Sequence, residues 1–215
     1  MLARLVIFGR QGAGKGTQSA RLSQHYRVPH ISTGDMLRAA VAAGTPLGIE
    51  AKAVMDGGGL VSDEIILGVV AERFAEADVQ ASGFLLDGFP RTVVQAQGMS
   101  KFATIDVAID LIVPEDLVLE RISSRRVCAN CGAIYSVAAP PADGWKCDKC
   151  GGEVEQRTDD TPEAIQKRLS AYNTETQPTI DFYENTGILV HVDGLGSPDE
   201  VGVRLIAAID ARLGR

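Results

Sequence analysis

No stretch of this 215-residue sequence stays apolar for the ~20 residues that a membrane-spanning helix requires. The longest candidates are cut by charge, as Asp110 cuts Val107-Ala108-Ile109-Asp110-Leu111-Ile112-Val113. A strand pattern begins almost at once and leaves no room for a signal peptide, so a cytoplasmic location without membrane partners is expected. Positive charge is also scarce. Lys and Arg number 21 against 28 Asp and Glu, a formal net charge of −7. A nucleic-acid binder usually carries a basic surface, so no nucleic-acid partner is expected. A small polyanionic ligand is still allowed, because a local arginine cluster can oppose the global sign. The three histidines, His25, His30 and His191, lack the Ser, Cys or Asp neighbours of a nucleophilic triad. Internal repeats and low-complexity tracts are missing as well. All four cysteines fall between positions 128 and 150, and a reducing location argues against structural disulfides.

What is present is an ordinary core-forming composition, 45% hydrophobic and 23% charged, at the size of one domain with insertions. Short β-rich runs at 4–8, 29–32, 84–87, 107–113 and 188–192 alternate with helical patterns. The helical patterns lie at 17–26, 35–43, 46–55, 63–77, 93–101, 115–126, 162–184 and 198–213. Strands separated by helices predict βαβ crossovers, hence a parallel sheet with helices on both faces. Ser62-Asp63 and Thr161-Pro162 read as helix starts. Two stretches break the alternation. Positions 32–61 form a mostly helical excursion, and 127–160, with the cysteines and Pro140-Pro141, reads as a small subdomain with its own staple.

Gly9-Arg10-Gln11-Gly12-Ala13-Gly14-Lys15-Gly16-Thr17 follows the apolar run Leu5-Val6-Ile7-Phe8 and precedes an amphipathic segment. That strand–loop–helix context suits a phosphate cradle: glycines let successive N–H groups face inward, and the helix start and Lys15 add positive charge. The strict pattern places Ser or Thr directly after the lysine, where this chain has Gly16. Phe84-Leu85-Leu86-Asp87 ends in a carboxylate that a parallel sheet would set beside the loop, where it can hold magnesium directly or through water. Arg91 follows that strand end, Arg121 and Arg125 are expected to share one helical face, and Arg157 and Arg168 flank the far end of the cysteine insertion. Phosphate clamps are built from such arginines. The lack of a general base fits transfer to a phosphate oxygen, already an anionic nucleophile.

Cys128-Ala129-Asn130-Cys131 and Cys147-Asp148-Lys149-Cys150 are two Cys-x-x-Cys knuckles with fifteen residues between them. The spacing matches a tetrahedral four-thiolate zinc site with no open position, hence a structural one. Redox dithiols or two disulfides are the competing readings, and four thiolates also suit iron or cobalt.

The ordered set of motifs resembles the adenylate kinase family over essentially the whole chain. It consists of Gly12-Ala13-Gly14-Lys15-Gly16-Thr17-Gln18, Ile31-Ser32-Thr33-Gly34-Asp35-Met36-Leu37-Arg38 and Leu86-Asp87-Gly88-Phe89-Pro90-Arg91. Gln95, Arg121, Arg125-Arg126, Arg157 and Arg168 follow in register. In that family the loop ends Gly-Lys-Gly-Thr, so Gly16 fits. The resemblance implies an α/β P-loop nucleoside-monophosphate kinase fold with a five-stranded parallel sheet. Its divisions would be a core (1–31, 62–123 and 162–215), a monophosphate-binding arm (32–61) and a zinc-bearing lid (124–161). It implies reversible transfer ATP + AMP = 2 ADP by a monomer using Mg2+. Gly12, Ala13, Gly14, Lys15, Gly16 and Thr17 would wrap the ATP phosphates, with Asp87 on Mg2+ through water. Arg121, Ile134, Tyr135 and Gly196 would flank the adenosine of ATP. Thr33, Arg38, Gly59, Leu60, Val61, Gly88, Phe89, Pro90, Arg91 and Gln95, with Arg157 and Arg168, would hold AMP. Lys15, Arg91, Arg125, Arg157 and Arg168 would act on the transferring phosphoryl group. Gln11 stands where many relatives have proline, and Gly196 where some have lysine. The rival readings are a kinase of UMP, CMP or GMP, and a phosphate-loop protein whose zinc lid binds nucleic acid.

Overall fold

A computed structural model describes residues 2–215. The apolar run at Leu5 lies in β1 (Ala3–Phe8). Then come α1 (Lys15–Tyr26), β2 (His30–Ser32), α2 (Thr33–Ala42), α3 (Pro46–Asp56), α4 (Asp63–Phe74), α5 (Ala77–Ser82), β3 (Gly83–Asp87), α6 (Val93–Met99), β4 (Val107–Ile112) and α7 (Glu115–Ser124). Three short strands follow, β5 (Arg125–Cys128), β6 (Ile134–Ser136) and β7 (Val154–Glu155). The chain closes with α8 (Pro162–Ala171), a π-helical stretch (Tyr172–Thr176), α9 (Gln177–Thr186), β8 (Leu189–Asp193) and α10 (Pro198–Leu213).

The expected five-stranded parallel sheet is present, in the order β2-β3-β1-β4-β8. Its inner strands β1, β3 and β4 each carry a single polar residue, Arg4, Asp87 and Asp110, because helices cover both faces. Side chains alternate between those faces. Leu5 and Ile7 pack with Leu85, Ile109 and Leu111 against Leu22 of α1, Ile122 of α7 and Leu205 of α10. Val6 and Phe8 pack with Leu86 and Ala108 against Val70 of α4, Met99 of α6 and Ile180 of α9. Since β1 lies between β3 and β4 while the chain leaves it toward β2, a crevice opens at the carboxyl ends of β1 and β3, where such sheets bind ligands. The cysteine segment builds a separate antiparallel sheet, order β6-β5-β7, over its own small cluster of Cys128, Ala133, Cys147 and Val154.

Four sequence expectations change. The helix expected over 63–77 stops at Phe74, because Gln80 Nε2 donates to the Phe74 carbonyl at 2.6 Å and Arg73 clamps Asp78, starting α5 separately. The helix expected over 115–126 stops at Ser124. Arg125 is extended (φ −63°, ψ 139°) and opens β5, so Arg121 and Arg125 do not share a helical face. Pairing of β5 with β6 and β7 overrides the local helical pattern. The helix expected over 162–184 is interrupted at Tyr172–Thr176. Pro178 has no N–H to give the carbonyl four residues earlier, and the widened turn accommodates that loss. Ser62 precedes α4 without a side-chain cap bond, whereas Thr161 accepts from Ala164 N at 3.2 Å as its sequence suggests.

Candidate active site

The loop between β1 and α1 turns on glycine. Gly12 has φ 85°, and a Cβ there would lie 2.7 Å from Ile122 Cγ1 and 2.8 Å from the Val118 carbonyl, so α7 packs on bare backbone. Gly14 caps α1 with φ 99° and no side-chain hydrogen bond, leaving the amides of the first turn without a capping side chain. Lys15 Nζ donates to the Gly9 and Arg10 carbonyls at 2.7 and 3.2 Å, spanning the loop. Burial lowers its pKa; Arg91 and Arg125 add to the fall, and Asp87 opposes it.

Register sets Asp87 opposite Ile7 of β1 and Ser32 of β2, at the mouth of the crevice. Burial works against its carboxylate, but His30, Lys15 and Arg91 outweigh it and hold its pKa below the ordinary value. Just beyond, the Gly88 carbonyl accepts from Thr33 Oγ1 at 2.9 Å and Arg91 Nε at 2.7 Å. Burial likewise pulls down the pKa of the Arg91 guanidinium, and the charges of Arg168, Arg38 and Arg157 lower it further against Asp87. Phe89 and Pro90 are buried beneath, while Arg38 is held by Asp35.

Three of the expected arginines converge on two aspartates that sequence reasoning missed. Asp159 and Asp160 are 4% and 1% exposed. Arg125 Nε and Nη2 reach Asp160 at 2.8 and 2.5 Å. Arg157 Nε and Nη2 reach Asp159 at 2.8 and 2.6 Å, and Arg168 touches both acids. Burial disfavours the Asp159 carboxylate, yet Arg157 and Arg168 hold its pKa far below the usual range. The available signal was an Asp-Asp pair just before the Thr161-Pro162 helix start, among arginines.

The small sheet lies over the loop. Ile134 Cδ1 is 3.0 Å from where a Cβ on Gly16 would sit. Arg121 Nη1 approaches the Ala13 carbonyl at 3.4 Å, and Thr158 Oγ1 meets Asp56 of α3 at 3.5 Å. Tyr135 is turned to the cysteines: its hydroxyl lies 3.4 Å from Cys147 Sγ and accepts from Asp148 N at 2.9 Å. Gly59, Leu60 and Val61 run between α3 and α4, and Leu60 and Val61 border a cavity of about 570 Å³ against α8 rather than the phosphate loop. Gly196, at φ 104°, precedes α10 beside Glu200.

All four cysteine Sγ atoms lie within 4.8 Å of one another. The pairs Cys128–Cys150 and Cys131–Cys147 are 3.5 Å apart, well beyond a disulfide bond. Zinc–sulfur bonds of about 2.3 Å in a tetrahedron put sulfurs about 3.8 Å apart, so the donor set fits a tetrahedral metal. The Tyr135 hydroxyl bond brings the Cys147 pKa down to about 6 despite burial. At Cys150 the Gly152 amide favours thiolate, but protons shared with Cys131 and Cys128 push the value up to about 12.

Residues 7–188 match the family model described as adenylate kinase. An adenylate kinase of Thermodesulfovibrio yellowstonii is 50% identical over 215 residues, covering 97% of this chain and 100% of the relative. One from Desulfitobacterium hafniense is 53% identical over 197 residues, covering 89% and 90% of the two chains. One from Archaeoglobus fulgidus is 50% identical over 196 residues, covering 88% and 90%. The chain belongs to the adenylate kinase family. It is a phosphotransferase with adenylate kinase function, on the P-loop nucleoside-monophosphate kinase fold that its sheet order displays. Among the described residues no helix is long and apolar enough to cross a membrane.

Proposed function

We propose that the crevice at the ends of β1 and β3 holds two nucleotides and moves the γ-phosphoryl group of Mg-ATP to AMP, giving two ADP. The convergence of Lys15, Arg91, Arg125, Arg157 and Arg168 carries this reading, since five cations concentrated in an acidic protein suit a crowded set of phosphates. The amides from Gly12 to Thr17 wrap the ATP phosphates, Lys15 follows the transferred group, and Asp87 holds Mg2+ through water. Arg121, Ile134 and the backbone of Tyr135 and Gly196 flank the adenosine of ATP, the Tyr135 ring being engaged with the cysteine cluster. Thr33, Arg38, Gly59, Leu60, Val61, Gly88, Phe89, Pro90, Arg91 and Gln95 hold AMP. Arg125, Arg157 and Arg168 exchange their aspartates for the phosphoryl group in transit, as charge stabilisers rather than proton carriers.

Segment 32–61 serves as the AMP arm and 124–161 as a lid on a core of 1–31, 62–123 and 162–215. Contacts already linking these parts, Ile134 over Gly16 and Thr158 to Asp56, support inward closure that excludes water and prevents ATP hydrolysis. Cys128, Cys131, Cys147 and Cys150 hold a structural zinc, which when bound supplies folding energy to the lid and takes no part in transfer. The protein works as a cytoplasmic monomer without a nucleic-acid partner, in keeping with its −7 charge.

A coupled assay of ADP formation on AMP, UMP, CMP and GMP, with metal analysis of the same sample, tests the reading. AMP is expected to be the fastest acceptor, and preference for another base overturns the substrate assignment. Gly16 has its own expected effect. Gly16→Ala places a methyl group against Ile134 and should raise KM for ATP about tenfold, the scale of one lost favourable packing contact on closure. Measured against Ile134→Ala alone, Gly16→Ala should add little to KM for ATP; a full tenfold rise in that background excludes the contact as the cause.

A further inference from the structure

Gln95 is 2% exposed, and its side-chain amide is bonded at both ends. Its Oε1 accepts from the Arg91 backbone N–H at 2.7 Å, and its Nε2 donates to Asp63 Oδ1 at 2.7 Å. Thr92 Oγ1 donates to the same carboxylate at 3.1 Å and accepts from Gln95 N at 3.1 Å, fixing acid and helix start together. A backbone N–H can only donate, and an ionised carboxylate can only accept. Turning the amide over would set N–H against N–H and oxygen against carboxylate. Asp63 is also the first residue of α4, immediately after the segment that returns from α3.

We propose that Asp63 sets the choice of purine at the monophosphate site by holding Gln95 in one of its two amide orientations. This rests on the AMP site proposed above, with Gln95 as the member of that set that faces the base. After its internal bonds Gln95 keeps one acceptor lone pair on Oε1 and one N–H on Nε2. Adenine offers an amino donor at N6 beside an acceptor at N1; hypoxanthine and guanine offer an acceptor at O6 beside a donor at N1. One amide orientation pairs with the first pattern, and the inverted orientation with the second. An amide free to turn serves both bases, whereas a locked one leaves two polar groups unpaired against the wrong base. Asp63 is a positioning residue: it touches Gln95 and leaves the nucleotide to it.

The test measures kcat/KM for AMP and for IMP at saturating Mg-ATP, together with thermal melting and KM for ATP. Wild type is expected to favour AMP by about 100-fold or more. Asp63→Leu, which offers no acceptor, should lower that ratio about tenfold or more with KM for ATP unchanged. Asp63→Asn keeps an acceptor oxygen for Nε2 and should hold the ratio within about threefold. Gln95→Leu tests the underlying reading and should raise KM for AMP and flatten the ratio. If Gln95→Leu changes neither quantity, Gln95 does not read the base, and the inference falls with that reading. If Gln95→Leu acts but Asp63→Leu keeps the wild-type ratio, only the Asp63 role is overturned. That role is equally overturned if Asp63→Asn loses as much selectivity as Asp63→Leu, or if wild type shows no preference. Should Asp63→Leu fail to fold, Asp63→Ala removes the same acceptor without added bulk. A reduced ratio there supports the lock, and an unchanged one overturns it.

Discussion

Arg91→Ala is expected to lower kcat by about 10³ or more while the protein stays folded. The guanidinium sits at the carboxyl end of β3, within electrostatic reach of Lys15, Asp87, Arg157 and Arg168, so it is placed to stabilise charge on a phosphoryl group held there. Its removal harms the fold little. The Gly88 carbonyl that it bonds also accepts from Thr33 Oγ1 and is not orphaned, and a buried cation among like charges is relieved. Arg125→Ala differs. Its partner Asp160 has a fully buried side chain and would retain only Arg168 Nη1 at 3.4 Å, so activity and stability should fall together. Steady-state kinetics paired with thermal melts separates the two variants. Near-normal turnover of Arg91→Ala removes it from the transfer step.

Removing the metal from the four-cysteine site is expected to lower the thermal midpoint by about 10 °C or more and to change the chemical step at low temperature far less. The small sheet buries Cys128, Ala133, Cys147 and Val154 with Tyr135 packed against them, so little besides the proposed metal holds it. Zinc binding supplies roughly 10–16 kcal/mol in isolated zinc-finger peptides, ample to order such a segment. Binding must also expel protons. With Cys150 at about 12 and Cys147 at about 6, the metal-free cluster retains thiol protons at neutral pH, and affinity should rise as pH rises. Calorimetry before and after chelation, with chelator competition at two pH values, checks both effects. A metal-free preparation that melts like the native one excludes a structural metal.

The parallel sheet and the phosphate loop were legible because each is a local pattern. β1 is apolar at every position from Leu5 to Phe8, and the loop keeps its glycines where α7 approaches backbone at Gly12. The capping box of α10 is written in adjacent residues, and that helix was read with its observed bounds. What escaped was non-local. Arg125 looked helical beside Arg121, and only pairing with Ser136, within a β5 whose partners come from β6 and β7, makes it a strand. The strands of the small sheet have two to four residues, too few to show a period of two. Asp63 looked like an ordinary helix-start acid and Asp159 and Asp160 carried no local mark; Arg125, Arg168 and Gln95 reach them from other elements, although Arg157 is only two residues from Asp159. Arginines advertise an anion site by type, whereas the acids that hold them ready do not.

The arginine–aspartate cluster gives the cleft the character of an ion exchanger. Three guanidinium groups already face two carboxylates, leaving one net positive charge there instead of three. On the exchange proposed above, loading a nucleotide would replace one oxygen anion with another at each guanidinium, so long-range attraction would change little and a small anion such as sulfate would gain little by entering. Discrimination would then fall to reach: a resident would have to touch several guanidinium groups at once to displace both aspartates, as a chain of phosphates can and a single tetrahedral ion cannot.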